Sequence, residues 1–158
     1  MRAIGSLISS IFDLKKPLLL EAFLYLDYGM RYSYSKDINS NFKDAENKVK
    51  DALFEVGFGV LTEINMKEAF KMKLDLDYKN YKILGACNPE LAHEALGYEK
   101  LIGVLMPCNV LVIDNENQTT KVVFPNAQSL LEVTDNKDVF LLADKVDKLL
   151  KTAFNAIK

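Results

Sequence analysis

Two cysteine–asparagine pairs, Cys87-Asn88 and Cys108-Asn109, carry most of the chemistry this chain could do. They contain its only two cysteines, and its only histidine, His93, lies between them. A thiolate is a nucleophile and a soft metal ligand, and neutral imidazole binds many of the same ions. Cys87, Cys108 and His93 would therefore make a three-ligand set for a transition metal or a haem iron. Their spacing matches no compact metal motif, and a lone helical histidine is more often a surface residue or one that only supports a ligand. Asn88 and Asn109 can donate and accept hydrogen bonds beside the thiols. Cys87, Asn88, Cys108 and Asn109 are thus the candidate cofactor-binding residues, with capping and turn formation as the alternative role of the asparagines.

The surroundings of Cys87 give it a reason to be reactive. Asn88-Pro89 is a helix start, since asparagine is a good N-cap and proline a good first helical residue. A cysteine just before such a start gains thiolate stabilisation from the helix dipole and the free amides. The alternative is a small buried residue, as free cysteine usually is. Cys108 follows Pro107 at the start of a strand and has no such support. If the two strands are neighbours the thiols could face one pocket, and a disulfide would need Cα atoms within about 7 Å. His93 lies off the apolar face made by Leu91, Ala92, Ala95 and Leu96.

Alternation predicts strands over 30–35, 58–64 and 81–87. Helical spacing predicts a helix carrying Phe42, Ala45, Val49, Ala52, Leu53 and Val56, capped by Asn39, Ser40 or Asn41 and closed by Gly57. A short helix over 66–74 presents Met66, Ala69, Phe70 and Leu74. A second runs from Pro89 to about Leu96, ended by Gly97. The apolar run 103–113 contains Pro107, which forces an edge or bulge position. Residues 115–118 form a hairpin turn before a return strand over 119–124. A short turn-like or helical piece spans 126–133. Asp135 or Asn136 then caps a long helix with Val139, Leu142, Val146, Leu149, Leu150, Ala153 and Ile157 on one face. Antiparallel strands with helices gathered on one face make an α+β domain over 30–158.

The chain has 158 residues, 49% hydrophobic and 27% charged, the balance of a globular domain with a real core. A net charge of −2 offers no basic field for nucleic acid. A serine triad and a phosphate loop both lack their motifs. Residues 1–29 read as an added helical segment, apolar almost all round from Leu18 to Leu26. That segment must bury itself against the domain, against a second subunit or, in the sharper reading, against a membrane surface. No apolar run is long enough to span a bilayer. No cleavage site follows the weak apolar stretch 3–12, which suggests a cytoplasmic protein.

The segments Ile83-Leu84-Gly85-Ala86-Cys87-Asn88-Pro89 and Leu105-Met106-Pro107-Cys108-Asn109-Val110 resemble the domain of unknown function 302 family. Leu91-Ala92-His93, Gly57–Ile64 and the spacing of Asp77, Tyr78 and Tyr81 fit the same resemblance. It implies a β-α-β(4)-α fold like half of a TATA-binding-protein saddle, usually dimeric, with the two cysteine–asparagine pairs as its motif positions. It implies no reaction. Three functional expectations follow. The first is a homodimeric binding module for a metal, a haem or a sulfur-containing ligand at Cys87 and Cys108. The second is a structural or partner-binding domain with core cysteines, and the third a thiol-dependent redox protein.

Overall fold

A computed structural model of the chain describes residues 32–158. The helical extension expected over 1–29, with its membrane or subunit contacts, lies outside the described residues. The described elements are β1 (Ser33–Ile38), α1 (Phe42–Glu55), β2 (Gly59–Asn65), α2 (Met66–Leu74), β3 (Tyr81–Cys87) and α3 (Pro89–Tyr98), then β4 (Cys108–Asp114), β5 (Thr120–Pro125), α4 (Ala127–Leu131) and α5 (Lys137–Ala156). Short 3-10 turns cover Ile102–Leu105 and Glu132–Thr134.

Each of these five α-helices starts on an asparagine. The side chains of Asn41, Asn65, Asn88, Asn126 and Asn136 accept a backbone N–H from the first turn that follows. This satisfies amides that no helical carbonyl can reach. At the other end of α1, Gly57 takes φ +82°, a left-handed conformation that glycine adopts without a Cβ penalty.

The strands form one antiparallel sheet in the order β1-β5-β4-β3-β2. Because successive side chains alternate, the sheet sends Leu84, Ala86, Val110, Val112, Val122 and Phe124 to one face. There they pack against Val49 and Leu53 of α1 and Val146 and Leu150 of α5. A smaller cluster joins Ala95 of α3, Ile102, and Val139 and Leu142 of α5. The α+β architecture with an antiparallel sheet is that expected.

Local differences have local causes. β1 is described from Ser33 and runs past the expected end at Ser35 to Ile38, with Tyr34, Lys36 and Ile38 facing inward. A lysine disguises that alternation. Its Nζ donates to the carbonyls of Phe154 and Ile157, both at 2.6 Å, placing a cation at the C-terminal end of α5. α3 continues past Gly97 to Tyr98, and Leu96 points to solvent. On α2, Leu74 is likewise exposed. Pro107 sits just before β4, which is the central strand, so its missing N–H costs no ladder bond. The buried Glu46 carboxylate accepts from Lys50 at 2.6 Å and Lys82 at 2.9 Å, tying α1 to β3. Burial alone would push its pKa up, but these two hydrogen bonds hold it below the usual range.

One contact fixes how β4 enters the sheet. A Cβ on Gly85 would overlap Thr62 Oγ1 and come within 2.7 Å of Pro107 Cγ. Thr62 lies at the register shift of β2, opposite Gly85. Gly85 is therefore the gap into which the proline ring is seated. Gly85→Ala is expected to destabilise the domain by about 1–3 kcal/mol, the usual range for overpacking. Denaturant titration of both proteins would test this, and an unchanged midpoint would count against the seat.

Candidate functional site

β3 delivers Cys87 to the end of the sheet and hands the chain to α3 through Asn88, whose Oδ1 accepts from the Leu91 amide at 3.2 Å. β4 starts beside it with Cys108 and Asn109. The ladder pairs Ala86 with Cys108 and Gly85 with Asn109. Thus the two cysteine–asparagine pairs, far apart in sequence, occupy adjacent strands at one end of the sheet.

The two thiols are neighbours but not face-to-face partners. Cys108 is paired with Ala86, so it shares the core side with Val110 and packs against the main core cluster. Cys87 is one step further along β3 and alternates to the opposite side. Both are half-buried and free. Asn88 Nδ2 lies 3.0 Å from where a Cβ on Gly57 would stand, so the α3 cap leans on the left-handed end of α1. Asn109 is exposed.

The metal set expected from Cys87, Cys108 and His93 is not assembled. His93 is exposed on α3, whose inner side is taken by Ala95. Among the described residues, no group of three or more His, Cys, Asp or Glu side chains could hold a metal ion. Nor are the thiols activated. Burial pushes the Cys108 thiol up to about 11, and the nearby Cys87 adds to the rise. Burial also raises Cys87. The lowered pKa expected from the helix start therefore gives way to desolvation. Among the described residues, the wall of the nearby cavity carries no imidazole for a haem iron and no cation for its acidic side groups.

What the two pairs do share is a cavity of about 520 Å³ at this end of the sheet. Its walls include Cys87, Asn88, Cys108 and Asn109, with Leu91 and Ala92 from α3, Ile102 and Leu105 from the 3-10 turn, and Leu131 and Leu142 from α4 and α5. The thiols are the only ionisable groups on it apart from the Tyr32 phenol, among the described residues. Sequence reasoning placed the cysteine end of this wall but not its helical side. The available signal was the run Leu101–Pro107, apolar without strand alternation, which turns out to be one wall of the cavity.

A five-stranded antiparallel sheet backed by helices, with an apolar chamber at the end of its central strands, defines the class of protein. The chain belongs to the family described as "Domain of unknown function DUF302", whose model matches residues 34–157. A crystal structure described as an uncharacterized conserved protein DUF302 from Bacillus stearothermophilus is similar in fold, with a TM-score of 0.74 and 26% identity. The match covers 81% of this chain and 99% of that one. No curated protein matches.

The thiol environment predicts a pH effect with a definite sign. The folded Cys108 pKa of about 11 exceeds its ordinary value of 9.0, so the folded state holds that proton more tightly. The resulting stability is complete below the ordinary value and is lost as pH rises through the folded one. Denaturant midpoints should fall across that window, and less steeply in Cys108→Ala. Alkylation of both cysteines at neutral pH should be slower than that of a free thiol. Fast modification of either would contradict the assignment.

Proposed function

We propose that this domain is a binding module whose ligand is small and uncharged and lies in the cavity beside the cysteine–asparagine pairs. The observation that carries this reading is a chamber of about 520 Å³ whose described lining holds no carboxylate, ammonium, guanidinium or imidazole. A volume of this size falls within the range of about 300–1,000 Å³ common for small-molecule sites. Burying an unpaired ionic group against such a wall would be costly. Cys87 and Cys108 then serve as soft, protonated wall groups, able to touch a sulfur-containing or apolar ligand without bonding a metal. Asn88 and Asn109 offer hydrogen bonds at its edge. The domain is not read as an enzyme. Two free thiols suit a cytoplasmic protein.

The structural reading keeps support for Cys108 alone, since it packs on the core cluster. The thiol-redox reading is weakened by burial of both thiols.

The test is a thermal-shift screen with uncharged apolar compounds against the wild-type chain and Ala92→Phe, which places a ring in the chamber. Ligands that raise the wild-type Tm should lose their effect in the variant. Equal shifts in both proteins would sink the proposal.

The homodimer is proposed on separate grounds. The register aligns Ile64, Ile83, Leu111 and Val123 in one row across β2, β3, β4 and β5, on the face opposite the main core, with Leu111 and Val123 also on the cavity lining. Ile64 is 49% exposed. A row of this kind suits a self-complementary sheet contact. Ile64→Lys should shift the wild-type chain from dimer to monomer in light scattering. A wild-type monomer at high concentration would refute the dimer.

A further inference from the structure

We infer that the ligand of this cavity is a single acyl chain bearing an uncharged or hydrogen-bonding head, an inference that rests on the binding-module reading above. Three observations converge on that chemistry.

The first is what the helical and the sheet sides of the wall offer. The helical side is built of Leu91, Ile102, Leu105, Leu131 and Leu142, with Met106 beside them. Hydrogen-bonding groups are confined to the sheet side, at Ser33 and Ser35 of β1 and at Asn88 and Asn109. A molecule complementary to this wall has a long apolar part and a short polar one.

The second is the mouth. Ile102 and Leu105 line the chamber, whereas Leu101 and Val104 of the same turn are 77% and 86% exposed. Leu105 and Leu130, both on the wall, are still 37% and 40% exposed. Apolar residues thus occur both on the wall and, next to it in the chain, at the surface. Scattered exposed leucines need no explanation, but several beside an apolar cavity suit a binding surface. A compact ligand buried inside would leave Leu101 and Val104 without a role. A chain that enters lengthwise uses both, since a buried methylene gains the same transfer energy at every depth.

The third is size. At about 30 Å³ for each water-sized group, the chamber of about 520 Å³ has room for a chain of on the order of a dozen carbons. The wall also excludes alternatives. A nucleotide, a phosphorylated sugar or a metal ion would meet no compensating charge among the described lining residues.

The free source could be a fatty acid or a neutral glyceride, and the experiment separates them. Fatty acids and 1-monoacylglycerols with chains of eight to fourteen carbons would be titrated calorimetrically into the full chain below their micelle concentrations. The expected result is tightening by about fourfold per added methylene up to the chain length that fills the chamber, then a plateau. Stronger binding of the glyceride than of the carboxylate at pH 8 is the expected result, since the described wall supplies no charge for a carboxylate; the reverse would overturn the uncharged head. Leu131→Trp should lower the chain length at which the plateau begins. Dependence on chain length that never levels would indicate surface adsorption and overturn the inference. So would binding that ignores chain length. If no acyl chain binds while a compact uncharged ring such as indole gives an Ala92→Phe-sensitive Tm shift, the acyl inference falls and the binding-module reading stands. The wild-type series decides these outcomes even if a variant fails to fold.

Discussion

The seating of Pro107 over Gly85 is the constraint on which this end of the molecule depends. Gly85 lies near the middle of β3, where a side chain would ordinarily point out of the sheet. Its missing Cβ leaves space that Thr62 and the proline ring occupy from either side. Pro107 thereby fixes where β4 begins, and hence the pairing of Cys108 with Ala86. That pairing decides which way each cysteine faces. It also sets the run Leu101–Met106 over the end of the sheet as the wall of the chamber. A slip of one residue would send Cys108 to the outer face and open the core beneath Val110.

The fold was largely legible in the sequence because its signals are local and repeated. The α1 and α5 stripes, the Asn88-Pro89 start and the turn at residues 115–118 each specify an element through its own backbone chemistry. Misjudged positions are those where a distant group overrides the local pattern. Lys36 lies beyond the strand expected over 30–35, yet it continues β1 and turns inward, where it donates to the carbonyls of Phe154 and Ile157. Leu96 reads as core, but α5 and the 3-10 turn leave it on the surface. The cavity was legible only in part for the same reason. Its sheet side is announced by the cysteine–asparagine pairs, whereas its helical side brings together Leu91, Ile102, Leu131 and Leu142, which no spacing connects.

The fate of Cys87 turns on the size of two opposing effects. A helix start offers a nearby anion about 0.3–1 kcal/mol, falling off within one turn, and that is less than a single pK unit. Cys87 sits one residue before the cap, outside the turn where the amides converge. Against this stands the loss of water around the thiol, which raises its pKa. Cys108 is more deeply buried, has Cys87 beside it and no helix start to oppose the rise, and its rise is larger. Tyr34 is raised for the same reason, first by burial and then by Asp147 and Cys108.

That bias toward neutral groups links the thiols to the cavity. A site designed for a metal or for thiolate chemistry must stabilise a sulfur anion, and it does so with cations, amides or water. Here the described walls supply leucine, isoleucine, alanine and methionine instead. A protonated thiol is a small, polarisable, nearly apolar group, which suits a wall whose work is to exclude water. The same residues that invite a reading of reactivity from sequence therefore take the opposite role once the sheet pairs them. The chemistry of the site lies in what it keeps out: its described lining holds no carboxylate, ammonium, guanidinium or imidazole.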